Sequence, residues 1–281
     1  MATALKKSSS TTSKQESTKY KLDCQSKLTP ETSDTSTWLN VLKKIPNVNI
    51  LIGNIDISKK TIVVKFESYK EMEREYEISK KLYDSKLQNF IKYYCFFSCN
   101  EDRKKFEMLE TKSKKLPLCT GPGTNTGFII MPFYKLGSIA MYKWSTGNLH
   151  ILKNILVQLV FALCDSFETI GFVHQDLHLY NVLLRKTKKK EICYKNINKS
   201  VKTEGFYPII MDFGRAKVSA SFKEFKTTLL KMFSLLRDIG INCEFILDPL
   251  PLVNYIRNAE IFNLDVTIEM IKKIQIDYIK I

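Results

Sequence analysis

No C-x-x-C pair occurs among the seven cysteines, which lie scattered at positions 24, 95, 99, 119, 164, 193 and 243. Cys95 and Cys99 come nearest to a metal-ligand spacing, but no second pair and no matching histidine follows. Zinc is therefore not indicated, and the cysteines read as buried or free thiols of a reducing compartment. No apolar run approaches the roughly 18 residues of a membrane span. Met1–Ser10 contains no apolar core of a leader peptide, so a soluble, intracellular chain is expected. Glycine is sparse where a phosphate cradle would need it: Lys43–Gly53 holds one. The richer run Gly121–Gly127 precedes a strand and reads as a turn.

Acidic residues are the minority, 29 against 44 basic ones, for a net charge of +15. Lysine-rich patches at Arg103–Lys105, Lys112–Lys115 and Lys186–Lys190 favour acidic proteins, nucleic acid or anionic lipid as partners. The plainer account is that they are solvated loops that keep the chain soluble. With 281 residues, 44% of them hydrophobic, there is ample material for a core in one large domain or two small ones.

Residues 1–36 are dominated by Ser, Thr and Lys and are expected to form a flexible tail carrying phosphorylation sites. From Trp38 the texture changes. Val48–Ile52, Asn54–Ile57 and Thr61–Phe66 are β-branched runs, the last two reading as a hairpin about Ser58–Lys60. Ser68 and Glu71 form a capping box that starts a helix from Tyr69 to Tyr83. On its wheel Glu75 shares a stripe with Ile78 and Leu82, the side that packs inward. Apolar positions from Ile151 to Phe167 predict a second amphipathic helix. A basic hairpin is expected between Arg185 and Pro208, a helix over Phe222–Asp238, and helical periodicity over Val253–Ile281.

Two short stretches carry chemistry. Gly171–Leu184 places Asp176 and Asn181 beside apolar runs, and Ile209–Gly214 does the same for Asp212. Phosphoryl transfer from a nucleotide needs a carboxylate to orient the attacking hydroxyl and further oxygens to hold magnesium across the phosphates. Asp176, Asn181 and Asp212 suit those roles in that order. Taken without the other, either acid is better explained as a loop-capping Asp than as a catalytic one.

His174-Gln-Asp-Leu-His-Leu-Tyr-Asn181 resembles the H-x-D-L-x-x-x-N catalytic loop of the protein kinase superfamily, and Asp212-Phe-Gly214 its metal-binding D-F-G. The position and texture of the 186–207 insertion resemble haspin-like kinases and reduced serine/threonine kinases of large DNA viruses. The resemblance covers roughly residues 38–240. It implies an α+β, bilobal fold: a mostly β N-lobe with one helix over 37–131, and a mostly helical C-lobe over 132–281, reduced after the D-F-G. It implies ATP and Mg2+ as cofactors, with Asn181 and Asp212 on the metal and Asp176 as the catalytic acid. Lys65 would contact the nucleotide phosphates as a catalytic group and pair with Glu75; either could instead face solvent, with Glu71 the alternative carboxylate. Met131 and Phe133 would lie at the hinge with Pro132 and Tyr134, and Val63, Leu183 and Met211 would sandwich the adenine. His178 stands where the family places a lysine that meets the γ phosphate, and its imidazole could serve there instead as a catalytic group. His174 is expected to pack and hydrogen-bond beneath the D-F-G rather than do chemistry.

Gln175 replaces the arginine that pairs with a phosphorylated segment in many kinases. Activity is therefore expected to be independent of phosphorylation between Arg215 and Thr228, and loss of activity on dephosphorylation there would count against this. Other departures are the glycine-poor phosphate loop, the short interval from Lys65 to Glu75, Ser79 at a usually apolar position, and the missing A-P-E. The implied function is transfer of the γ-phosphoryl group to Ser or Thr of a protein substrate. The rivals are a small-molecule phosphotransferase of the aminoglycoside or choline kinase type, and a non-catalytic scaffold that binds nucleic acid or protein. The expected location is cytoplasm or nucleus, or host cytoplasm or virion for a viral chain.

Overall fold

The computed structural model describes residues 39–45, 49–55, 60–98, 125–234, 236 and 245–278. The expected tail, the two upstream lysine patches and most of Gly121–Gly127 lie outside them. The fold is α+β, with several antiparallel sheets and five helices among the described residues. These residues form two compact units. One takes those up to Met72 with Tyr93–Phe133; the other takes Glu73–Lys92 with Tyr134–Ile281.

The first unit is a five-stranded antiparallel sheet. In chain order its strands are β1 (Leu39–Lys44), β2 (Ile50–Ile55), β3 (Lys60–Ser68), β4 (Cys95–Ser98) and β5 (Thr126–Pro132), arranged β1-β2-β3-β5-β4. β1 has no counterpart in the sequence reading, and the two runs expected over 48–57 merge into β2, with Gly53 paired to Ile62 inside the ladder. Alternation along β3 buries Ile62 and Val64 and leaves Val63 and Lys65 half-buried on the other face. Helix α1 (Tyr69–Asp84) follows at once. The Ser68 hydroxyl accepts from the Glu71 N–H at 3.4 Å and donates to the Glu71 carboxylate at 2.7 Å, so the box closes through the two side chains. Where the first turn of α1 meets β5, a Cβ on Gly127 would lie 2.9 Å from Met72 Cβ. Only glycine permits that approach.

The second unit is built around α2 (Leu149–Ile170), whose Leu152, Ile155, Leu156, Leu159, Val160 and Leu163 are buried. Contrary to the expectation of no such run, Thr146–Ile170 is long and apolar enough by length and composition to cross a membrane. Most of it is buried within the fold, as the core helix of a globular unit would be. α2 ends on Gly171 in the left-handed region at φ +62°.

Then come β6 (Val182–Lys186) and β9 (Phe206–Ile210), paired with each other, and β7 (Glu191–Tyr194) paired with β8 (Lys199–Lys202). The remaining helices are α3 (Phe222–Ser234), α4 (Leu250–Asn258) and α5 (Leu264–Lys272). β10 (Phe245–Asp248) pairs with β11 (Gln275–Tyr278). The helical pattern expected to run to Ile281 thus gives way to a strand at Gln275, because a partner strand outside that stretch takes up its backbone groups.

The β7–β8 hairpin is the expected basic insertion. Its lysines face outward while Ile192 and Tyr194 point inward. The Tyr194 hydroxyl donates to Asn89 Oδ1 at 2.7 Å and lies 3.2 Å from the Gln158 carbonyl, and Asp165 Oδ1 accepts from the Asn196 N–H at 2.8 Å. Removing that hydroxyl leaves buried acceptors without their donor. Tyr194→Phe is therefore expected to lower stability by about 1–2 kcal/mol, read as a lower midpoint in urea at unchanged slope. A midpoint equal to wild type would show that the network is dispensable.

Among the described cysteines, Cys164 and Cys193 are free, and burial pushes the Cys164 thiol well up. Cys95 departs from the expectation, being disulfide-bonded.

Candidate active site

The loop from Phe172 to Asn181 leaves α2 through Gly171 and is fixed from both sides. Val173 exchanges two backbone hydrogen bonds with Lys217, each 2.9 Å, and the Ser219 N–H donates to the Ile170 carbonyl. His174 is wholly buried. Its Nε2 lies 2.8 Å from the Met211 carbonyl, and since a carbonyl can only accept, that nitrogen carries the proton. Phe172 and Phe213 meet the ring edge-on at 6.3 and 5.9 Å. Burial lowers the His174 pKa, which favours a neutral imidazole in a structural role.

The β6–β9 ladder places the two candidate metal ligands. Val182 pairs with Ile210, and one step further the Met211 N–H donates to the Asn181 carbonyl at 2.9 Å. Asn181 and Asp212 therefore leave the same end of the ladder. The Asn181 amide nitrogen donates to the Asp176 carbonyl at 3.1 Å, which turns its side-chain oxygen the other way. Asp212 has φ +66°, a left-handed conformation uncommon for a non-glycine residue, two residues past the end of β9. A Cβ on Gly214 would sit 3.7 Å from Asp212 Oδ1 and 3.6 Å from Glu75 Oε2, so both carboxylates border that glycine. Glu75 is wholly buried, with Ile78 and Leu82 buried on the same stripe as expected; Ser79 is buried too, its hydroxyl donating to the Ile91 carbonyl at 2.9 Å. Two oxygen-bearing side chains at one ladder end suit Mg2+, which keeps several waters and takes few protein ligands. No group of three or more His, Cys, Asp or Glu able to hold a metal occurs among the described residues.

Asp176 is gripped by cations. Lys231 on α3 hydrogen-bonds its Oδ1, and Arg215 Nη1 lies 3.7 Å from Oδ2. The Lys231 hydrogen bond holds the Asp176 carboxyl below the usual carboxylate range, partly offset by desolvation. His178 contributes its carbonyl to the Asn181 N–H, while its ring Nδ1 is buried with no hydrogen-bond partner among the described residues. Leu183 is half-buried in β6, bridged to Ser138.

In the first unit the structure gathers Val63, Lys65 and Met131 on β3 and β5. Val63 pairs with Met131 and Lys65 with Ile129. Phe133 lies just past the end of β5 and is 40% exposed. Lys65 and Glu75 belong to different units.

Sequence reasoning expected the helix α3 but gave none of its residues a place at the site. Glu224, Thr228 and Lys231 fall at i, i+4 and i+7 on one stripe, and all three meet the loop from Phe172 to Asn181. Gln175 Nε2 donates to Glu224 Oε1 at 3.2 Å, the Gln175 N–H lies 3.4 Å from Thr228 Oγ1, and Lys231 takes Asp176. The signal was present as polar residues at helical spacing beside the buried Phe225, Leu229 and Met232.

Glu224 also accepts from Lys217 and from the backbone and hydroxyl of Ser221, so a fixed carboxylate fastens the segment after Gly214. The Ser221 N–H, then Lys217 and the Ser221 hydroxyl, depress the Glu224 pKa to about 2. Its contribution to stability is present above the unfolded value near 4.5 and fades as pH falls toward 2. The gap in melting temperature between wild type and Glu224→Gln should therefore be widest at neutral pH and close in acid. A gap that does not change with pH would refute the assignment.

No family model matches the chain. Part of it is similar to three curated proteins. An uncharacterised protein of Caenorhabditis elegans is 29% identical over 86 residues, 30% of this chain and 29% of that one. An uncharacterised protein of invertebrate iridescent virus 6 is 32% identical over 82 residues, 26% of this chain and 13% of that one. The serine/threonine-protein kinase haspin of Mus musculus is 33% identical over 90 residues, 31% of this chain and 12% of that one. The chain thus spans less than a third of the length of each relative, and its likeness to a kinase is weak and partial.

Proposed function

We propose that this chain is an ATP-dependent protein kinase of bilobal architecture that transfers the γ-phosphoryl group to Ser or Thr of a protein substrate. The observation that carries the reading is the join of Asp176, Asn181 and Asp212. One amide ties the first two, and one ladder end delivers the last two.

In the proposed reaction Asp176 accepts a hydrogen bond from the acceptor hydroxyl and aligns it for in-line attack. Asn181 and Asp212 would hold magnesium, which when bound neutralises charge on the phosphates. Lys65 would bind the phosphates with Glu75 as its partner, and Val63, Leu183, Met131 and Phe133 would enclose the adenine. Within the first unit, half-buried Val63, buried Met131 and partly exposed Phe133 together with Lys65 suit a flat base joined to an anion. The partial likeness to haspin supports the same reading.

A small-molecule phosphotransferase is the second reading, favoured by the lack of an A-P-E motif in the residues from Gly214 to Ile281. Purified chain would be incubated with labelled ATP and magnesium, with casein as an acidic acceptor, myelin basic protein as a basic one, and choline or an aminoglycoside alone. Label on phosphoserine or phosphothreonine is expected. Label confined to the small molecules would transfer the assignment to the second reading, and no label with folded protein would end both.

A further inference from the structure

We propose that Lys231 is a catalytic residue delivered by α3, whose ammonium contacts the phosphoryl group in flight beside Asp176; the proposal rests on the kinase reading above. Phosphoryl transfer spreads negative charge over three equatorial oxygens, and a fixed cation beside the attacking hydroxyl stabilises that charge. Of the described cations, two approach the Asp176 carboxylate. Lys231 hydrogen-bonds Oδ1, whereas Arg215 stands 3.7 Å from Oδ2 with its side chain 76% exposed.

The placement of Lys231 is built into the fold. It comes 55 residues after Asp176 on a helix that Glu224 and Thr228 also fasten to Gln175, so the lysine is aimed by three contacts rather than by its own reach. A purely structural ion pair accounts poorly for this. With side chains 28% and 40% exposed, such a pair adds little to stability.

In the step itself, the acceptor oxygen forms a bond to the γ phosphorus as the bond from phosphorus to the β–γ bridging oxygen breaks. The hydroxyl proton passes to Asp176, ADP leaves with the bridging electron pair, and Lys231 remains an ammonium throughout. Oδ1 stays on Lys231 while Oδ2 meets the hydroxyl.

The test measures kcat, the KM for ATP and ATP affinity in the full chain, with the acceptor protein best labelled by wild type. Lys231→Met is expected to lower kcat about a hundredfold with KM and affinity within about threefold of wild type. Lys231→Arg should keep a larger share of activity, and Lys231→Ala should regain at least about tenfold on addition of ethylammonium.

A Lys231→Met enzyme within threefold of wild type overturns the proposal and leaves the kinase reading intact. A loss that neither arginine nor ethylammonium relieves, accompanied by a lower melting temperature, assigns Lys231 to structure and also overturns it. A wild type that transfers no phosphate overturns the kinase reading and this proposal with it.

Discussion

Asp176→Asn is expected to lower phosphoryl transfer by about a thousandfold while leaving ATP affinity within about threefold. Asparagine keeps the size of the side chain and its place beside Asn181, whose amide bonds the residue 176 backbone carbonyl, so the loop should hold its shape. What disappears is the negative oxygen that aligns the acceptor hydroxyl and receives its proton. Asp212→Asn should behave differently, losing magnesium-dependent nucleotide binding together with transfer. Equal loss of affinity in both variants would mean that the two acids do not divide the work as proposed.

Gly171→Ala is expected to be the most damaging single methyl group near this site, at about 3 kcal/mol. The residue sits at φ +62°, and a Cβ there would lie 2.7 Å from Ser219 Cα and 2.9 Å from Ser219 N. Backbone cannot swing aside as a flexible side chain can. For a chain of this size that loss corresponds to a melting temperature lower by roughly 6–12 °C. Gly205→Ala is the control, since φ is +74° but nothing lies within 4 Å of the added carbon. It should cost only the strain of the left-handed conformation, about 1 kcal/mol. Equal costs at the two positions would show that the close approach to Ser219 is not what the glycine serves.

The parts of this fold that could be read in the sequence were those whose cause is local. Ser68 and Glu71 announce α1 because their hydrogen bonds span three residues. α2 shows in its own periodicity, as does the inward stripe that carries Glu75. The parts that could not be read depend on a distant partner. β1 has no clean alternation in Leu-Asn-Val-Leu-Lys-Lys and becomes a strand by pairing with β2. Gln275–Tyr278 reads as a continued helix until Phe245–Asp248 is set beside it.

The candidate site divides in the same way. Asp176, Asn181 and Asp212 stand out through their spacing and apolar flanks, whereas Lys231 is marked locally only as one polar position on the stripe of α3. Its meaning comes from the register of α3 against a loop far back in the chain.

The β7–β8 hairpin has a consequence for how this chain reaches its folded state. β6 and β9 must find each other across the residues between Lys186 and Phe206, and until they do, Asn181 and Asp212 are not neighbours. A hairpin closes in microseconds from contacts that are near in sequence. Once Glu191–Tyr194 has paired with Lys199–Lys202, the span left to close is shorter, and each halving of such a span lowers the closure cost by about 0.6 kcal/mol. The insertion thus acts as a folding clamp: a quick local event that brings a slower, long-range one within reach.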